Sequence, residues 1–278
     1  MSLLELDRVS VRVSGRTLVQ EVGLAVGRGE LFGLIGPNGA GKSTLIKAIA
    51  QLLPYAGSIA LGGQPLDRIS ARERAYRLAY LSQDDRLQWP ISVQDLVALG
   101  RHPYRGSWWR GAGAPSETDR HAIDRALHAT DVWRLRGRRA DTLSGGERAR
   151  ARLARVLAVE APLLLADEPV AALDPLHQLR VMELLRAQCH AGAAAIVVLH
   201  DLTLASRFCD RLLLLHEGMP VAAGTVPEVL SDAHLRRVYG IRALLGDHDG
   251  QRYIVPWAVE APDLDAEKKA ANGANGGK

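Results

Sequence analysis

Residues 36–44 read GPNGAGKST. Gly36, Gly41, Lys42 and Ser43 fill the fixed places of the pattern G-x-x-x-x-G-K-[ST], with Pro37, Asn38, Gly39 and Ala40 between them and Thr44 after. The apolar run ELFGLIG leads into this loop, and Leu45, Ile49, Leu52 and Leu53 follow it at helical spacing up to Pro54. Buried strand, glycine loop and helix, in that order, are the context in which such a loop binds phosphate. Its glycines let backbone amides close around phosphate oxygens, and the helix start adds partial positive charge. Lys42 is placed to reach the β- and γ-phosphates of a nucleotide, and the Ser43 hydroxyl to hold Mg²⁺.

A second apolar run, LLLADEP, ends in two acids, Asp167 and Glu168. Acids at strand ends are common and mean little alone. Behind a phosphate loop, the first is suited to hold Mg²⁺ through water and the second to act as general base on an attacking water. Gln83 after RLAYLS and His200 after AAAIVVL also stand at strand ends, where open α/β sheets bind ligands. Gln83 is placed to touch Mg²⁺ or the attacking water, and His200 to donate to the γ-phosphate. A lone strand-end histidine is more often structural.

The stretch LSGGE opens another helix at residues 143–147. Ser144 and Glu147 form a capping box ahead of Leu153, Val156 and Leu157 at helical spacing. A well-capped helix would be the plainest account. Yet Gly145 and Gly146 in the first turn cost roughly 1 kcal/mol each. They make sense where backbone must lie against something bulky and anionic. The chain already has its own phosphate loop. The second anion-binding helix start is therefore expected to serve the nucleotide of another copy, in a head-to-tail pair with two ATPs at the interface.

These residues need elements to carry them. LLELDRVSVRV, EVGLAV and GSIALGG read as partly alternating strands before and after the phosphate loop. ELFGLIG, PLLLAD, AAAIVVLH and RLLLLHEG read as strands buried on both faces. From about 86 to 158 the pattern turns helical, with Ser92 and Ser116 as N-caps and a Gly- and Trp-rich loop, RGSWWRGAGAP, between them. Asp174 caps a helix starting at Pro175. RYIVPW suggests one more strand within a small element at 241–260, and the polar 261–278 segment is expected to be disordered. The predicted fold is α/β, a P-loop NTPase (RecA-like) core with an N-terminal antiparallel β subdomain and an inserted α-helical subdomain.

Composition narrows the class further. The chain has 278 residues, 47% of them hydrophobic and 24% charged, with a formal net charge of +4. The arginines cluster at 134–139 and 148–155, which a solvated helix face explains, so no nucleic-acid partner is expected. Cys189 and Cys209 lack metal-ligand spacing and suit a reducing compartment. No apolar run reaches the length of a membrane span, and the N-terminus does not resemble a signal peptide. A cytoplasmic soluble protein is the expectation, one that would act at a membrane only by docking on a partner.

Over about residues 1–240 the chain resembles the ATP-binding subunits of ABC transporters. GPNGAGKST is similar to their Walker A motif, Gln83 to the Q-loop, LSGGE to the signature motif and LLLADEP to Walker B. AALD, ending at Asp174, is similar to the D-loop, and His200 to the switch histidine. All six stand in the family's order. The resemblance implies ATP and Mg²⁺ as ligands, a second copy in an ATP-sandwich dimer, permease subunits, and indirectly a periplasmic or surface substrate-binding protein. ISVQDLVALGRHPYRG, HDLTLASRFCDRLLLLHEG, AAGTVPEVL and VYGI resemble the importers of iron chelates, haem and vitamin B12, with the choice among these left open. The Arg and Gly of GRHP would equally serve only to shape a turn. Three departures stand out: Glu147 replaces the usual Gln, Val13 the adenine-stacking aromatic, and Val170 and Ala171 the usual Thr and Ser. A soluble ABC-type ATPase of repair or translation, a non-hydrolysing module and an exporter subunit are the competing classes. The first usually carries a coiled-coil insertion, zinc-binding cysteines or paired ATPase units, none of which this sequence has.

Overall fold

The computed structural model describes residues 2–83, 90–104 and 115–260. The expected Trp-rich loop, all but its last residue, and the 261–278 tail lie outside the described residues. In chain order the strands are β1 (Ser2–Val13), β2 (Arg16–Gly27), β3 (Leu31–Ile35), β4 (Ala56–Leu61), β5 (Gln64–Pro65) and β6 (Leu78–Leu81). They continue with β7 (Leu163–Asp167), β8 (Ala194–Val198), β9 (Arg211–His216), β10 (Met219–Thr225), β11 (Ile241–His248) and β12 (Gln251–Val259). The main helices are α1 (Lys42–Ile49), α2 (Ala71–Arg77), α3 (Val93–Ala98), α4 (Glu117–Ala129), α5 (Gly145–Leu157), α6 (Pro175–His190) and α7 (Leu202–Phe208).

The central sheet runs β10-β9-β3-β8-β7-β6. Its β3, β8 and β7 are parallel neighbours and every residue in them is buried, as the unbroken apolar runs predict. The crossovers bring the carboxyl ends of β3, β6, β7 and β8 to one rim, where the phosphate loop, Gln83, Asp167 and His200 stand. A separate antiparallel sheet, β2-β1-β4-β5, packs Leu4, Val9, Val22 and Val26 against α1 and the inner face of β3. Helices α3, α4 and α5 form their own apolar core from Val93, Leu96, Val97, Ile123, Leu127 and Ala154. Helix α5 also sends Leu153 and Val156 into the main core, so it belongs to both bodies.

Two expectations change here. Helix α1 stops at Ile49 rather than running to Pro54, because Gln51 turns into the left-handed region at φ 61. Leu53 still packs on the core, but Leu52 points outward, 59% exposed. Strand β6 ends at Leu81, leaving Ser82 and Gln83 beyond the ladder. The small C-terminal element is a hairpin, β11-β12, whose second strand lies along α7. Thr203 Oγ donates to the Ile254 carbonyl at 2.6 Å and Ser206 Oγ to that of Arg252 at 2.8 Å, covering one edge of the hairpin.

Candidate functional site

The loop leaving β3 is shaped by close backbone approach. A Cβ at Gly36, φ 144, would lie 2.1 Å from the Leu215 carbonyl oxygen, and one at Gly41, φ 96, 2.6 Å from that of Leu18. Only glycine fits either place. Gly41 caps α1, and the first helical residue is Lys42, 5% exposed. Lys42 Nζ donates to the carbonyls of Gly36 at 2.7 Å and Pro37 at 2.9 Å. Burial lowers the pKa of this ammonium, opposed by the nearby charges of Glu168 and Asp167.

Ser43 Oγ donates to Asp167 Oδ1 at 2.9 Å. Asp167 is 1% exposed, and its Oδ2 has no hydrogen-bond partner among the described residues. Burial raises its pKa, against the Ser43 hydrogen bond. A buried carboxylate oxygen without a donor is costly unless a cation completes it. A hydroxyl, a carboxylate and the Gln83 side chain are hard oxygen donors of the kind Mg²⁺ takes, usually together with substrate phosphates. No cluster of three or more His, Cys, Asp or Glu suited to a metal occurs among the described residues.

Glu168 follows at φ 52, a left-handed conformation that costs a non-glycine residue about 1 kcal/mol or more. Its Oε1 lies 2.6 Å from His200 Nε2. His200 sits just before Asp201, whose Oδ1 caps α7 by accepting from Leu204 N at 2.8 Å. Asn38–Thr44, Gln83, Glu168 and His200 line one cleft of about 340 Å³.

Ser144, Gly145, Gly146 and Asp174 do not line it. Ser144 and Glu147 form the expected capping box, with Ser144 N donating to Glu147 Oε2 at 2.8 Å and Glu147 N to Ser144 Oγ at 3.3 Å. Glu147 is thereby accounted for as a cap, its pKa lowered by the Ser144 backbone N–H. A Cβ on Gly145 would meet open space, while one on Gly146 would touch Leu173 at 3.7 Å. The second glycine turn thus lies beside the Asp174 loop and opens to solvent. Asp174 caps α6 and binds His177 twice, through backbone N at 3.0 Å and Nδ1 at 2.7 Å.

Three features escaped the sequence reading. Leu18, not Val13, lines the cleft, and its only sequence signal was an apolar residue on a strand crossing the loop. Val170 is buried in the main core, which explains an apolar residue there. Arg152 on α5 donates to the carbonyl of Ser82 and, at 3.4 Å, to that of Gln83. The GRHP segment proves to be a packing device. A Cβ on Gly100 would lie 2.2 Å from the Arg155 carbonyl oxygen, and Arg101 bridges Asp119, Glu160 and the Ala158 carbonyl at 2.8–2.9 Å.

A phosphate loop leading into α1, a carboxylate pair at the end of β7 and a histidine beyond β8 define a P-loop nucleoside triphosphatase of the ATP-binding-cassette type. The model of the family described as ABC transporter matches residues 19–171, and the chain belongs to that family. It is 41% identical over 252 residues to a hemin import ATP-binding protein, HmuV, of Pseudomonas fluorescens, covering 88% of this chain and 96% of that one. It is 45% identical over 230 residues to the HmuV of Streptomyces coelicolor, covering 82% and 80%. Among solved structures it resembles a dimeric ATP-binding cassette in a post-hydrolysis state bound to ADP and Pi, at 25% identity and TM-score 0.69, covering 80% and 98%. No helix among the described residues is long and apolar enough to cross a membrane.

Proposed function

We propose that this chain is the ATP-hydrolysing subunit of an importer of haem or a related iron chelate, working as a head-to-tail dimer with two ATPs at its interface. The carrying observation is the joint placement of Ser43, Asp167, Glu168 and His200 around the start of α1. The hemin-import names of its relatives favour haem over other chelates.

In this reading the amides of residues 36–44 and the start of α1 hold the phosphates. Lys42 exchanges its two loop carbonyls for the β- and γ-phosphate oxygens. Ser43, Asp167 and Gln83 would hold Mg²⁺, which would supply positive charge to neutralise the phosphates. Glu168 takes the proton from the attacking water, whose oxygen bonds to the γ-phosphorus as the bond from that phosphorus to the β–γ bridging oxygen breaks, giving ADP and inorganic phosphate. His200 orients Glu168 and faces the γ-phosphate. Ser144, Gly145 and Gly146, together with Asp174, act on the partner copy's nucleotide, since they lie outside this chain's own cleft. The dimer docks on permease subunits at the cytoplasmic face of the membrane, with a binding protein delivering the substrate.

The test is a pull-down of tagged Glu168→Gln chain from its own cell membranes with ATP, followed by haem uptake in cells lacking the chain. A multi-span permease that needs the chain for haem uptake supports the reading. Recovery of soluble partners alone would move the chain to the soluble ATPases.

A further inference from the structure

Strand β6 is the outermost of the central sheet, and its pairing with β7 ends at Leu81, so the Ser82 and Gln83 carbonyls lie past the ladder. They are met instead from the helical body. Arg152 Nη2 donates to the Ser82 carbonyl and lies 3.4 Å from Ser82 Oγ, while Nη1 reaches the Gln83 carbonyl at 3.4 Å. A planar guanidinium spans two successive carbonyls in a way that an ammonium does not, and its charge strengthens the bonds. We infer that Arg152 is a positioning residue for Gln83, holding the backbone from which that side chain enters the phosphate-loop cleft.

Three observations make this more than the satisfaction of a loose strand end. The grip is anchored, because the next residue, Leu153, is buried in the main core, as is Val156 a turn on. Gln83 itself lines the same cleft as Lys42 and Ser43. And Arg152 lies on the helix that Ser144 opens, about 10 Å along the axis from its first turn. One rigid helix therefore carries the glycine turn at one end and the hold on Gln83 further along. A partner nucleotide engaged at Ser144 would be registered at Gln83 through Arg152. The inference rests on the reading of Gln83 as a ligand of Mg²⁺ or the attacking water.

The experiment is steady-state ATP hydrolysis by the full-length chain, comparing Arg152→Ala, Arg152→Lys, Gln83→Ala and the Arg152→Ala/Gln83→Ala double variant, each with its thermal unfolding curve. A misplacement of about 1 Å costs up to about 10²-fold in rate. Arg152→Ala is expected to lower kcat about tenfold with KM for MgATP changed less than about twofold. Arg152→Lys, which keeps one charged donor, is expected to recover part of the loss, and it carries the comparison if the alanine variant loses its fold. If Arg152 acts on turnover through Gln83, the double variant is no slower than Gln83→Ala alone. Wild-type kcat in Arg152→Ala, or losses that multiply in the double variant, would overturn the inference while leaving the site reading intact. Wild-type kcat in Gln83→Ala would overturn both.

Discussion

Ser43 and Asp167, 124 residues apart in the chain, are joined by a 2.9 Å hydrogen bond from Oγ to Oδ1. The bond leaves Asp167 Oδ2 buried and without a donor among the described residues. Burial raises the pKa of this carboxyl, with the neighbouring Glu168 charge adding to the rise and the Ser43 bond opposing it. The folded chain then holds a proton there more tightly than the unfolded chain does. Stability falls as pH rises through the folded pKa. Without a cation, Asp167 is therefore expected to lower stability at neutral pH.

Asp167→Asn keeps the acceptor for Ser43 and removes the buried charge. The nucleotide-free variant is expected to melt higher than the wild type at pH 7, at about 2–4 °C for each kcal/mol gained, and the gap should shrink as pH is lowered. MgATP should raise the Tm of the wild type by more than that of the variant. Differential scanning calorimetry checks both. A variant that melts lower without nucleotide would show that the carboxylate stabilises the empty fold.

Glu168 stands in a left-handed backbone conformation with His200 Nε2 2.6 Å from its Oε1. Glutamine keeps the shape and loses the base. Turnover should fall about 10²-fold or more, and the ATP-bound dimer should persist in gel filtration. Near-normal turnover would mean that another group takes the proton.

The chemistry-bearing parts of this site were legible because each is a short run at the end of one element. The GPNGAGKST loop, the acids after LLLA and the Ser144 cap are local patterns, and each stands where its run predicts. What could not be read is what depends on distant pairing. Arg152 meets Ser82 across 70 residues, and nothing in its own neighbourhood marks it apart from the other arginines of α5. Leu52 keeps helical spacing, yet the chain turns at Gln51 first, and backbone conformation outweighs periodicity there. The GRHP segment was visible as a pattern, but only packing shows that Gly100 makes room for the Arg155 carbonyl.

Ser144 lies on a helix start that opens to solvent, away from the Lys42 cleft. Ser144→Arg puts a bulky side chain at that opening. Binding of ATP to the isolated monomer should stay within about twofold of wild type, because no residue of the cleft changes. ATP-dependent dimerisation of the Glu168→Gln background should be lost. Dimerisation unchanged in analytical ultracentrifugation would refute a role for this turn across the subunit interface.

Arg101 is 2% exposed and ties three segments together. Its Nε donates to Asp119 Oδ1, and its Nη1 donates to Glu160 Oε2 and the Ala158 carbonyl, while its guanidinium stacks 3.7 Å from the Tyr104 ring centre. Asp119 is also buried and caps α4 in a box with Ser116. Burial pushes its pKa up, but the hydrogen bonds from Arg101 and Ser116 outweigh that, and the net shift is downward. A depressed carboxyl contributes stability above its unfolded pKa and loses it as pH falls through the folded one. Arg101→Ala leaves Asp119 buried and unpaired, which should cost about 3–5 kcal/mol at pH 7. The deficit should narrow below the ordinary carboxylate range, where Asp119 is protonated in both proteins. Arg101→Met with Asp119→Asn removes both charges and should recover much of the loss, since an apolar replacement for a whole buried pair is often neutral. Urea titrations of the wild type and the two variants at pH 7 and in acid decide it. A deficit in Arg101→Ala that is the same at pH 7 and in acid would mean that Arg101 contributes by packing, not by charge.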